Sequence, residues 1–90
     1  MPLAKSAFLR YRIIDACLTN PMRKFPKMEF IIQKIEDQSG HRISSSMFNK
    51  DIQAMKNELN APIKYDRSND GYCYTQDGFS LNQFVDSCAI

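Results

Sequence analysis

The sequence predicts a mainly helical α+β domain in which three short helices are followed by a two-stranded β-hairpin. Three observations predict it. Apolar residues recur at three- and four-residue intervals in three stretches before residue 60, the period of a helix with one buried side. The period changes to two over residues 63–66 and 72–75, as it does in strands. Between those runs stands Asp70-Gly71, a step suited to the positive backbone angles of a hairpin turn.

From Ser6 to Leu18 the residues Ala7, Phe8, Tyr11, Ile14 and Leu18 form the stripe of an amphipathic helix. Asn20-Pro21 ends it, because proline disfavours the helical region for the residue before it. A basic loop, Met22-Arg23-Lys24-Phe25, follows, and Pro26 is expected as the first residue of a second helix, where its missing N–H is no loss. Met28, Ile31, Ile32 and Ile35 give that helix its stripe, and Ser39-Gly40 closes it. After a short connection from His41 to Ser44, Ser44 or Ser45 is placed to cap a third helix.

In the third helix Phe48, Ile52, Met55 and Leu59 share a narrow arc, with Asp51 at its margin. Ser46, Asn49, Lys50, Gln53 and Asn57 fall on the opposite side, which carries one positive and no negative charge. Past Asn60-Ala61-Pro62, Ile63 and Tyr65 alternate with Lys64 and Asp66, and Tyr72 and Tyr74 with Cys73 and Thr75. Residues 76–90 carry a turn at Asp77-Gly78 and then Phe79, Leu81, Phe84 and Val85, which complete the core as an extended tail or as a short helix.

Ninety residues, 43% hydrophobic and 24% charged, suffice for one core and are too few for separate cofactor and substrate domains. Residues 1–84 are expected to form the domain and 85–90 a tail or linker. Charged residues interrupt every apolar run well short of the roughly 18 a membrane span needs. The first residues lack the pattern of a secretory signal, so a cytoplasmic location is expected. The spacing of Cys17, Cys73 and Cys88 fits neither a disulfide framework nor a zinc pair, which predicts reduced thiols. With His41 as the single histidine, no metal, no cofactor and no catalytic residue is predicted. His41 reads as a solvated loop residue, a pairing with Cys17 or Cys73 being the competing view.

Charge is uneven. Residues 1–27 hold six basic side chains against one acid, while the rest of the chain carries a slight excess of acids and the total is +2. A local basic block of this kind is a candidate polyanion-facing edge, with a solvated basic face as the plain alternative.

Three helices and a hairpin, with the second and third helices tightly joined, is the order of a winged helix-turn-helix. That layout leaves the polar face of the third helix free to enter a DNA major groove. Asn49 and Gln53 can each pair twice with adenine, Ser45 and Ser46 permit close approach, and Lys50 reaches guanine or phosphate. Arg23, Lys24 and Lys27 at the entrance to the second helix, Lys64 and Arg67 on the hairpin, and Arg10 on the first helix are the expected phosphate contacts. Of Arg10 and Arg12, one is expected along the DNA edge and the other paired with an acid such as Asp15. A winged helix used for protein association, through the polar helix face or through Tyr65, Tyr72 or Tyr74, is the competing function.

Leu9-Arg10-Tyr11-Arg12-Ile13-Ile14-Asp15, Arg23-Lys24-Phe25, Ile43-Ser44 leading into Lys50-Asp51-Ile52-Gln53-Ala54-Met55, and Ala61-Pro62-Ile63 carry a resemblance. Together they resemble the N-terminal winged-helix domain of bacterial WYL-domain transcriptional regulators, within the DeoR-like helix-turn-helix group. Tyr72-Cys73-Tyr74-Thr75 and Gly78-Phe79-Ser80-Leu81 are similar to the second wing strand and exit segment of that domain. The resemblance spans roughly residues 6–84. Where that family usually has two arginines after Ile-Ser, this chain has Ser45 and Ser46. The resemblance implies a transcriptional regulator that binds double-stranded DNA. Homodimerisation, and a C-terminal WYL effector domain absent from these 90 residues, are its further expectations.

Overall fold

The computed structural model describes residues 5–76 and 78–81. Among them the order is α1 (Lys5–Thr19), α2 (Met28–Ser39), α3 (Ser45–Glu58), β1 (Ile63–Asp66) and β2 (Gly71–Tyr74). This is the predicted α+β arrangement, winged-helix-like in layout. The expected tail 85–90, the core residues Phe84 and Val85, the Asp77 half of the expected turn and Cys88 lie outside the described residues.

The core is built where the three helical stripes meet. Ile14, Ile31, Ile35, Phe48 and Met55 are its fully buried large side chains, and Ile63 with Phe79 and Leu81 closes it from the hairpin side. On α1 the buried set is Ala7, Tyr11, Ile13, Ile14 and Cys17. Phe8, expected inside, is exposed and lies edge-on to Tyr11 with ring centroids 6.0 Å apart. The inward arc of α1 is therefore rotated toward Ile13 and Cys17. Burial pushes the Cys17 thiol up from its ordinary range, so it acts as a packing residue.

Pro26 is not in α2. Its carbonyl accepts the Tyr72 N–H at 2.9 Å, and Lys27 is the N-cap, its own carbonyl accepting from Ile31 at 3.0 Å. The Pro26 carbonyl thus turns to the hairpin and not along the α2 axis, and the helix begins after it. Gly40 ends α2 at φ +83°, donating to Glu36. Ser44 is the cap of α3, its side chain accepting from the Met47 N–H at 3.1 Å.

The strands pair antiparallel, Ile63 with Tyr74 and Tyr65 with Tyr72. The turn differs from the Asp-Gly expectation. Asp70, not Gly71, takes the left-handed angle (φ +52°), while Gly71 begins β2. A side chain at 71 would stand 2.0 Å from the Phe25 carbonyl oxygen, so glycine is required there for close approach of two backbones. Phe25 itself sits at φ +56°. The basic loop and the hairpin are locked together at this point.

Candidate nucleic-acid interface

The outward face of α3 is open. Ser45, Ser46, Asn49, Lys50 and Gln53 are all exposed, as are Lys56 and Asn57, while Phe48, Asp51, Ile52 and Met55 point inward. The pattern follows from the helical period: one side of α3 is apolar and is covered, the other offers amides, hydroxyls and an ammonium.

Two buried acids hold this helix and the hairpin in place. Asp51 is 2% exposed, and the Arg10 guanidinium grips it through Nε at 2.6 Å and Nη2 at 3.0 Å, a two-pronged tie between α1 and α3. The hydrogen bond to Asp51 raises the Arg10 pKa above its ordinary value. Arg10 is thus engaged inside the fold, a correction to its expected role on phosphate. One of the two α1 arginines is paired with an acid, as expected, but it is Arg10 and the acid is Asp51; Asp15, 4% exposed, pairs with neither Arg10 nor Arg12. It accepts instead from the Tyr74 hydroxyl (2.6 Å), the Ser80 hydroxyl (3.1 Å) and the Leu81 N–H (3.1 Å). Three donors around one carboxylate satisfy it without a cation, and they fasten α1 to β2 and to the segment after it. Burial, then the bond to Asp15, pushes the Tyr74 hydroxyl well above the usual phenol range.

The hairpin leans on α3 through aromatic edges. Tyr72 meets Phe48 at 5.3 Å and Tyr65 meets Tyr72 at 5.1 Å between centroids. Tyr65 is the exposed end of this row. Its hydroxyl donates to Asp70, whose other oxygen lies 3.5 Å from the Lys27 ammonium. The hydrogen bond from Tyr65, and then the nearby Lys27 charge, hold the Asp70 carboxyl below its ordinary value. The start of α2 and the tip of the hairpin are therefore neighbours.

The remaining expected phosphate contacts are on the surface. Arg23 lies over the Phe30 ring at 4.3 Å, which orients its guanidinium without neutralising it. Lys24, Lys64 and Arg67 are exposed and form no ion pair among the described residues. Arg42, by contrast, is tied to Glu29 and Glu36. The sequence does not mark Asp70 or Asp51 as parts of this surface and its supports, and it offers Tyr65 for a protein contact alone. Only Tyr65 left a signal, the alternation that sets it on the same hairpin face as Tyr72. His41 is exposed, and no group of three metal-ligating side chains occurs among the described residues. A cleft of about 500 Å³ opens behind the loop, bounded by Thr19, Lys24, Phe25, Cys73 and Tyr74.

Comparison with protein-family models, curated proteins and solved structures finds no significant match to this chain. The surface itself therefore carries the functional argument.

Proposed function

We propose that this domain binds duplex DNA, α3 entering the major groove and the hairpin and the loop before α2 meeting the phosphate backbone, as in a regulator of transcription. The observation that carries the proposal is the uncovered polar face of α3, free of acids, together with the exposed cations Arg23, Lys24, Lys64 and Arg67, which form no ion pair among the described residues. Asn49 and Gln53 supply bidentate amides for adenine, Lys50 reaches guanine or phosphate, and Ser45 and Ser46 let the helix approach closely. Arg23, Lys24, Lys64 and Arg67 position the duplex without reading its sequence. Lys27 belongs to the same edge.

A titration of duplex DNA at several salt concentrations tests the reading. Four neutralised phosphates at about −0.9 each give a slope of log affinity against log salt of roughly −4. Absence of binding at low salt refutes it. The competing protein-association reading is weaker where it uses the hairpin, because Tyr72 and Tyr74 are half-buried in the chain's own packing and of the three tyrosines only Tyr65 is presented. Replacing Lys50 and Arg23 separates the two: DNA binding collapses, whereas an interface built on the hairpin survives.

We place this activity in the cytoplasm and, following the resemblance to WYL-domain regulators, in a bacterial regulator that acts as a homodimer with a C-terminal effector domain. No helix of the described residues is long and apolar enough to cross a membrane.

A further inference from the structure

We infer that the Lys27 ammonium and the Tyr65 hydroxyl form a seat for a backbone phosphodiester, and that Asp70 fills this seat as an internal anion until DNA displaces it. The inference rests on the DNA-binding reading and deepens it. The two groups come from different elements, the N-cap of α2 and β1, and converge on one carboxylate, the hydroxyl on Oδ1 and the ammonium on Oδ2. An ammonium and a hydroxyl are both ordinary ligands of phosphate oxygens. Among the described residues none encloses them: the Lys27 and Asp70 side chains are 67% and 65% exposed and Tyr65 is 44% exposed. The fold does not require an acid there, since the turn needs only a residue that tolerates φ +52° and asparagine does so as readily as aspartate. Arg67 lies near enough to the Tyr65 hydroxyl for its charge to act on it, so the seat stands on the hairpin edge expected to follow the backbone.

While Asp70 is in place, Lys27 contributes no released counterion, because its charge is already matched. Phosphate binding at the seat therefore exchanges one anion for another. The carboxylate lowers affinity and flattens salt dependence, and it selects for a duplex whose backbone geometry brings a phosphate onto both donors.

The test is a DNA titration, at several salt concentrations, of the wild type, Asp70→Asn, Lys27→Ala and the double variant. Asp70→Asn frees Lys27 and should steepen the salt slope by about 0.9, which at about 0.1 M salt corresponds to roughly eightfold tighter binding. That gain should vanish in the Lys27→Ala background, as coupling through one contact demands. Tyr65→Phe on the Asp70→Asn background should give back part of it. The wild type provides a second readout, because the Asp70 side-chain carboxyl resonance should shift on adding duplex. Wild-type binding with an unchanged Asp70→Asn slope and an unmoved resonance overturns the seat and leaves the DNA reading standing. So does a gain that persists without Lys27, since it is then a general charge effect. Failure of all five proteins to bind removes both.

Discussion

Tyr74→Phe deletes one oxygen and leaves the ring, which packs edge-on to Phe79 at 4.8 Å, where it is. The deleted hydroxyl donates at 2.6 Å to Asp15, a carboxylate only 4% exposed. A hydrogen bond to a charged group contributes about 1.5–3 kcal/mol, and the group left behind cannot recover it from water when buried. Ser80 and Leu81 still donate to the same carboxylate, so a loss of about 2 kcal/mol is expected, below the upper end of that range. In urea, with an m-value of about 1 kcal/mol/M for a small domain, the midpoint should fall by about 2 M. Circular dichroism at 222 nm, followed through the urea titration, provides the assay. The same hydroxyl gives an alkaline signature. Its folded pKa is raised, so its contribution is intact below the unfolded value near 10 and is lost as pH rises above it, by up to about 1.4 kcal/mol per pH unit. The wild type should therefore lose stability above about pH 10 more steeply than Tyr74→Phe. A midpoint shift under about 0.3 M would refute the claim that this carboxylate fastens the hairpin to α1.

Gly71→Ala places a methyl 2.0 Å from the Phe25 carbonyl, so the loop and hairpin must part; a loss of about 2–4 kcal/mol is expected in the same urea assay. Arg10→Ala leaves Asp51 buried without its cation and should cost about 3–5 kcal/mol, while a joint Arg10→Met, Asp51→Leu replacement should restore most of the thermal midpoint. Asn49→Ala and Gln53→Ala should each narrow the gap between preferred and random duplex by about 1–3 kcal/mol without altering the salt slope. Lys24→Ala should weaken all duplexes alike and flatten the slope by about 0.9.

The helices were legible because each buries a single stripe, and Ile31, Ile35, Phe48 and Met55 are all found where the period puts them. The hairpin was legible for the matching reason, a period of two. What the sequence could not show were contacts between distant stretches. Arg10 could be matched with any acid, and Asp15 is nearer in the chain, yet it is Asp51 that α3 carries alongside it. Pro26 obeyed a local rule for helix starts until the Tyr72 amide claimed its carbonyl. Gly71 looked like a turn residue, but its lack of a side chain answers to Phe25. Within the proposed interface, the exposure of Ser45, Ser46, Asn49, Lys50 and Gln53 followed from the stripe opposite them. The link from Lys27 to Asp70 to Tyr65 had no local signature.

The bond from the Tyr72 amide to the Pro26 carbonyl joins two stretches that share no secondary structure. Hydrogen–deuterium exchange at that one amide is consequently a gauge of whether the basic loop is seated. Its protection should equal that of the hairpin's interior amides when loop and hairpin open together, and should be lower when the loop lifts by itself. A single backbone proton thereby reports on the posture of a loop that bears no regular structure of its own.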